Sequence, residues 1–315
     1  MINRRCFITG IKSTTLSFKE KAFLKHYKPW GVILFSRNIN SFYQIKKLTS
    51  EIRGIFKDKN YPILIDQEGG RVSRLSKFLN TDLLTSEYFG NLFIQDKKKF
   101  NKYYEIFINK TSYILKQIGI NINTVPVLDL RNKGSHNIIG DRSFSNNPKI
   151  IDRIGNFCIK KFHNNNIGTV IKHIPGHGLT KVDSHKSTPI VKEKLNHLIK
   201  KDFSTFKNKK SFFAMTAHII YKNIDKVNTA THSKKVICLI RSNIKFKNLL
   251  ISDDISMKSL KYSIKVNTLK AFSAGCNLVL HCNGNYKEML VVAKYSPLLT
   301  NFIIKKTSQF YKILS

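Results

Sequence analysis

Eight short apolar runs, each ending in polar or ionisable residues and each separated from the next by a helix-compatible segment, limit what this chain can fold into. The runs are residues 6–8, 31–35, 61–65, 122–128, 169–171, 212–215, 249–252 and 276–280. The segments between and after them include 18–26, 41–56, 100–118, 150–164, 192–206 and a final 300–313. Strand alternating with helix argues for parallel βαβ units. Apolar character that is continuous rather than alternating suits strands buried on both faces. Eight such units in 315 residues fit an α/β fold of the (β/α)8 TIM-barrel type, with a doubly wound open sheet as the competing arrangement.

The strand ends separate these two. Arg37, Asp66, Asp129, Lys172 with His173, His218, Asp253 and His281 each follow an apolar run. A barrel gathers such ends around one mouth, whereas an open sheet converges only those near its switch point. The barrel accounts for more of the residues. No linker, repeat or low-complexity tract marks a second unit, so residues 1–315 are expected to form a single catalytic domain.

Lys and Arg number 55 against 19 Asp and Glu, a formal charge of +36. Phosphate contacts by such residues dominate nucleic-acid affinity. The lysines are scattered rather than gathered into an arm, and the chain is rich in Ile, Asn and Lys together. The basicity therefore reads as compositional, and no specific nucleic-acid partner is expected. Five dispersed cysteines without a CxxC pair fit reduced thiols in a cytoplasmic protein. The N-terminus has no apolar stretch of signal-peptide length, and no run reaches the roughly 20 apolar residues of a membrane span. Neither a signal peptide nor a membrane association is expected. The oligomeric state stays open, with a monomer the simplest expectation.

Residues 170–189, VIKHIPGHGLTKVDSHKSTP, carry the densest chemistry. A strand delivers Lys172 and His173 into a loop punctuated by Gly and Pro, which continues to Asp183 and His185. A carboxylate two residues from an imidazole favours the imidazolium, which suits a proton donor that later acts as base. Surface Asp-x-His pairs are common, and this one gains weight from its place after the fifth strand, opposite Asp253. That aspartate ends the run LLIS, and its neighbour Asp254 is suited to cap a following helix. His173 and His177 are four residues apart, but Pro175 and Gly176 prevent a shared helix face, so no metal site is expected. Gly69-Gly70-Arg71 lacks phosphate-loop spacing. Asp66 and Arg74 read as anchors for substrate hydroxyls and carboxylates.

Together these stretches resemble glycoside hydrolase family 3, and more narrowly its single-domain bacterial β-N-acetylglucosaminidases. The resemblance rests on GVILFSRN at 31–38, IDQEGGRVSRL at 65–75, IGDRSFS at 139–145, KHIPGHGLTKVDSH at 172–185, MTAHIIY at 215–221, ISDDISM at 251–257 and AGCNLVLHCN at 274–283. It implies a barrel and a configuration-retaining mechanism with Asp253 as nucleophile and an Asp183–His185 acid/base dyad. It also implies substrate binding by Asp66, Arg74, Arg142, Lys172 and His173, with no metal or organic cofactor. The implied substrate is a carbohydrate, terminal GlcNAc on anhydro-muropeptides, in peptidoglycan recycling. A β-glucosidase or phosphorolytic specificity, or a basic polyanion-binding protein with a decayed site, are the alternatives. Departures from the family pattern, such as Ile174 for Phe and Asn277 for Asp, lie away from these positions. They bear on stability and leaving-group contacts more than on chemistry.

Overall fold

The computed structural model describes residues 3–132, 134, 137–180, 182 and 187–314. Its strands in chain order are β1 (Arg5–Gly10), β2 (Pro29–Leu34), β3 (Ile63–Ile65), β4 (Ile122–Asn123), β5 (Gly168–Ile174), β6 (Ile190–Val191), β7 (Phe213–Thr216), β8 (Ile220–Tyr221), β9 (Leu249–Asp254) and β10 (Leu278–His281). Strands β6 and β8 pair only with each other; the other eight close in the order β1-β10-β9-β7-β5-β4-β3-β2. Ile8 of β1 pairs in parallel with Gly31 on one side and Leu280 on the other. That closure rules out the open sheet and makes the fold a (β/α)8 barrel.

The helices are α1 (Phe18–Tyr27), α2 (Phe42–Phe56), α3 (Ser86–Gln95), α4 (Lys97–Gln117), α5 (Pro148–Asn164), α6 (Leu195–Lys200), α7 (Lys234–Ser242), α8 (Ile264–Ala274), α9 (Tyr286–Tyr295) and α10 (Asn301–Tyr311). Their starts are written in the sequence. Ser17 and Glu20 close a capping box at α1, while Ser41, Thr85, Asp96, Asn147 and Ser233 accept first-turn amides of α2, α3, α4, α5 and α7. The expected helix over 192–206 is instead α6 followed by a 3-10 turn, Asp202–Phe206. There Ser204 and Thr205 donate their hydroxyls to the carbonyls of Lys201 and Asp202, a local bond that competes with helix continuation. The run 122–128 yields only two strand residues, since Pro126 cannot donate to a ladder.

Two apolar layers follow from strand alternation. Phe7, Val32, Ile63, Ile171, Ala214 and Leu250 face the helices, whereas Ile8, Ile33, Leu64, Val170, Phe213 and Ile251 fill the barrel. Leu299, Ile303 and Phe310, at and along α10, join the inner layer and plug the floor. Trp30 there donates to Thr307 at 2.9 Å. Each such side chain contributes about 1.5–3 kcal/mol by burial.

One close approach positions the mouth. A β-carbon at Gly90 of α3 would stand 1.7 Å from the carbonyl oxygen of Phe144, two residues beyond Arg142. Gly90→Ala gains up to about 1 kcal/mol of helix propensity but must push this contact apart, which costs about 1–3 kcal/mol or more. The clash wins: urea denaturation should show net destabilisation, and an unchanged or raised midpoint would contradict the contact.

Candidate active site

Side chains on a strand alternate, so the inward rows can be followed up to the C-terminal mouth. Leu64 is followed on the same side by Asp66 and Glu68, Val170 by Lys172, Phe213 by Met215, Ile251 by Asp253, and Leu280 by Cys282. Of these, Asp66, Glu68, Lys172, Met215, Asp253, Leu280 and Cys282 line one cavity of about 240 Å³, together with Arg71, Val72, Arg74, Ile138, Ile139, Arg142, His173 and His177. His173 has the opposite parity to Lys172. It enters because the β5–β7 register shifts between Lys172 and Ile174, which re-aims a side chain as a bulge does. His281 also has the wrong parity and points away, bonding Glu288 of α9 at 2.9 Å. It leaves the expected ring. Arg37 holds the rim by donating to the carbonyls of Ile11 and Cys282.

The loop after β3 is held by Gln67. Its amide N–H donates to Asn123, its backbone carbonyl accepts from the same side chain, and its Oε1 accepts the amides of Arg74 and Leu75 at 2.8 and 3.0 Å. Asp66 then faces Lys172 Nζ at 3.3 Å and Arg74 at 3.5 Å, and accepts the Thr124 hydroxyl. Arg142 grips Glu68 with two parallel bonds of 2.8 and 2.9 Å, and Lys172 reaches Glu68 at 2.6 Å. Burial alone would raise the Glu68 carboxyl, but Arg142 and Lys172 outweigh it and hold it well below the usual range. Asp66 is likewise lowered against burial by Lys172, Arg74 and Thr124. Glu68 was not among the expected site residues. Its signal was the two-residue step from Asp66.

Asp129 sits behind the wall. Its carboxylate meets His173 Nδ1 at 2.7 Å and accepts the backbone amides of His173 and His177. Burial pushes this carboxyl up, yet His173 and His177 pull it below its ordinary value. His177 is pushed down to about 4, by burial first and then by His173, and its Nδ1 meets the Thr180 hydroxyl at 3.0 Å.

Asp253 is half-buried at the cavity wall. Its Oδ1 accepts the Asp254 amide at 2.8 Å; among the described residues no hydrogen bond engages Oδ2. Burial would raise this carboxyl, but His218, His173, the Asp254 amide and Lys172 together lower it. His218 stands behind, with Nε2 2.9 Å from the Asp254 carbonyl and Nδ1 2.7 Å from the Thr231 hydroxyl. A carbonyl only accepts, so Nε2 carries the proton. Asp254 accepts from Ser256 and the Cys282 amide. It ties a turn rather than starting a helix, because α8 begins only at Ile264.

The structure thus gathers Asp66, Arg74, Arg142, Lys172, His173 and Asp253 around one cavity. Asp183 and His185 lie outside the described residues; the segment leading to them, 174–180, adjoins the cavity through His177. Among the described residues no group of three or more His, Cys, Asp or Glu side chains is placed to hold a metal ion. No helix among them is long and apolar enough to cross a membrane.

Comparisons with known proteins agree with one another. A model of the glycosyl hydrolase family 3 N-terminal domain matches residues 9–306. The beta-hexosaminidase of Nitrosomonas eutropha is 32% identical over 284 residues, covering 87% of this chain and 79% of that protein. The beta-hexosaminidase of Neisseria meningitidis serogroup C is 31% identical over 288 residues, covering 90% and 79%. Among solved structures, NagZ from Neisseria gonorrhoeae in complex with N-trifluoroacetyl-D-glucosamine aligns over 100% of this chain and 91% of its own. The TM-score is 0.87 at 27% identity.

Proposed function

Because this chain belongs to glycosyl hydrolase family 3 and is a glycoside hydrolase, we propose that it is a retaining exo-β-N-acetylglucosaminidase acting through a glycosyl-enzyme on Asp253. The observation that carries this reading is the state of that carboxylate: lowered, pinned through one oxygen, with the other not engaged among the described residues, beside a cavity ringed by Asp66, Lys172, Arg74 and Arg142. The cavity is somewhat smaller than the roughly 300–1,000 Å³ of drug-sized ligand sites, which suits one sugar ring. The relatives named beta-hexosaminidases and the neighbour bound to an N-acylglucosamine favour an N-acetylhexosaminide.

In the first step Asp253 Oδ2 bonds to the anomeric carbon as the glycosidic C–O bond breaks. His185, held by Asp183, gives its proton to the departing oxygen. In the second, water attacks the same carbon, the bond to Asp253 breaks, and His185 takes the water's proton. Two inversions retain configuration. Most retaining glycosidases use a second carboxyl group for the proton; a histidine here is the family-specific variant. Asp66, Lys172, Arg74, Arg142 and His173 hold sugar hydroxyls and the N-acetyl group. We further propose terminal GlcNAc on anhydro-muropeptides as the substrate, peptidoglycan recycling in the cytoplasm as the setting, and residues 1–315 as one catalytic unit active as a monomer.

The test is release of an aryl group from an N-acetylglucosaminide, compared with the matching glucoside, with and without phosphate. Preference for the glucoside, or release that depends on phosphate, would overturn the specificity. For His185→Ala, loss of general-acid help should cost on the order of 10²–10⁴-fold on poor leaving groups and much less on an activated phenol. An equal loss across leaving groups would remove His185 from the acid role.

A further inference from the structure

Asp202 begins the 3-10 turn after α6 and is 2% exposed. Neither of its carboxylate oxygens has a well-formed hydrogen bond among the described residues. A charge in such a place is costly unless it is paired. The groups facing it make matters worse. Asp129 approaches from beyond β4, and Glu193 from the stretch after β6. Tyr221 of β8 offers no proton, because its hydroxyl donates to the Gly176 carbonyl. Only the amides of Asp202 itself and of Gly178 favour the charge. Burial first, and Asp129 second, push the carboxyl up to about 7.

The side chain is also wedged against bare backbone. A β-carbon at Gly176 would stand 2.7 Å from Asp202 Cβ, and one at Gly178 would stand 2.9 Å from Asp202 Oδ1 and 2.4 Å from the Leu130 carbonyl. These glycines belong to the segment that Asp129 grips through the His173 and His177 amides. Two carboxyl groups therefore meet one stretch of loop; Asp129 has a histidine ring and well-formed amide bonds for its charge, whereas Asp202 has only the weaker help of its own amide and that of Gly178. Environments that push two neighbouring acids apart in this way mark a division of labour.

We propose that Asp202 is a positioning residue of the glycosidase, carried as the neutral acid, which props residues 176–178 so that the chain running on toward Asp183 and His185 starts from a fixed place. The inference rests on the glycosidase reading given above. When Asp202 ionises, two like charges bear on one segment and the prop is lost.

Asp202→Asn keeps the shape and stays uncharged at every pH; Asp202→Ala removes the prop. The neutral fraction of an acid titrating near 7 falls about tenfold between pH 6 and pH 8. The ratio of kcat/KM at pH 8 to that at pH 6 should therefore be up to about tenfold higher in Asp202→Asn than in wild type. Asp202→Ala should lose activity at both pH values, with Asn recovering most of the loss. Unfolding gives a readout independent of turnover. The folded protein keeps a proton that the unfolded chain has released, so this group makes wild-type stability fall as pH rises from about 4 through 7. The Asn variant lacks that slope, so its melting temperature should gain on wild type by a few degrees across the range. Parallel unfolding curves would mean that Asp202 is ionised in the fold, and would overturn the proposal. Identical pH–rate profiles despite diverging unfolding curves would overturn its part in catalysis. Absence of turnover in wild type would instead strike the glycosidase reading, leaving the unfolding comparison to decide the proton.

Discussion

Asp253→Asn should lose about ten-thousand-fold or more in kcat on an aryl N-acetylglucosaminide, the scale seen when a covalent nucleophile is removed. The fold should survive, since the Asn oxygen can still accept the Asp254 amide that Oδ1 accepts now. Unchanged thermal unfolding would separate lost chemistry from lost structure. Asp253→Ala goes further by opening space beside the anomeric carbon. A small anion such as azide should then restore part of the turnover and give the α-glycosyl azide, because a single displacement inverts. In the intact enzyme, a 5-fluoro sugar should leave its adduct on Asp253, readable by mass spectrometry. Wild-type-like turnover by Asp253→Asn, or an adduct on another residue, would remove Asp253 from the nucleophile's role.

Glu68→Ala should destabilise the fold by about 3–5 kcal/mol, the range for removing one partner of a buried ion pair. The Lys172 and Glu68 side chains are each 3% exposed and that of Arg142 is 11% exposed, so the two cations would lose their shared partner with little solvent at hand to replace it. Lys172 keeps a weaker contact with Asp66 at 3.3 Å, which places the loss nearer the lower end. The sign of the pH dependence follows from the same contacts. The Glu68 carboxyl lies below its unfolded value. Its contribution is therefore complete above about pH 4.5 and disappears as the pH falls through the folded value. Urea titrations at pH 7 and pH 3 should show the wild-type advantage shrinking in acid. A constant gap between the two proteins would contradict the network.

The eight apolar runs sufficed for the barrel because strands buried on both faces must be apolar throughout, and that requirement needs no tertiary information. Site geometry was legible wherever a polar residue followed an inward row in step, as Asp66, Lys172 and Asp253 do. It misleads at His281, a strand end whose parity turns it away from the mouth and toward Glu288. Glu68 is hard to read because its one local mark, the two-residue step from Asp66, says nothing of the two cations it will meet. Arg142 and Lys172 arrive from 74 and 104 positions along the chain. The break after α6 came from hydroxyls that bond back to their own turn, a competition that apolar periodicity does not register. The buried state of Asp202 was invisible for the same reason as Glu68: its neighbours come from β4, β5 and β8.

The floor plug has a consequence for how the molecule is made. β1 is completed only by β10, the Leu299 amide bonds the Arg4 carbonyl, and the Arg4 guanidinium donates to the Tyr311 hydroxyl across 307 positions at 3.2 Å. Loop closure over such separations must precede the reward of the contact. At about 5–20 residues per second, a ribosome holds the first strand for roughly 15 s or more before its last partner emerges. During that wait the inward rows of β1 and β2 stand open at one edge, a template for the wrong strand. The formal charge of +36 is then felt before folding ends: like charge on every nascent copy opposes contact between unfinished barrels.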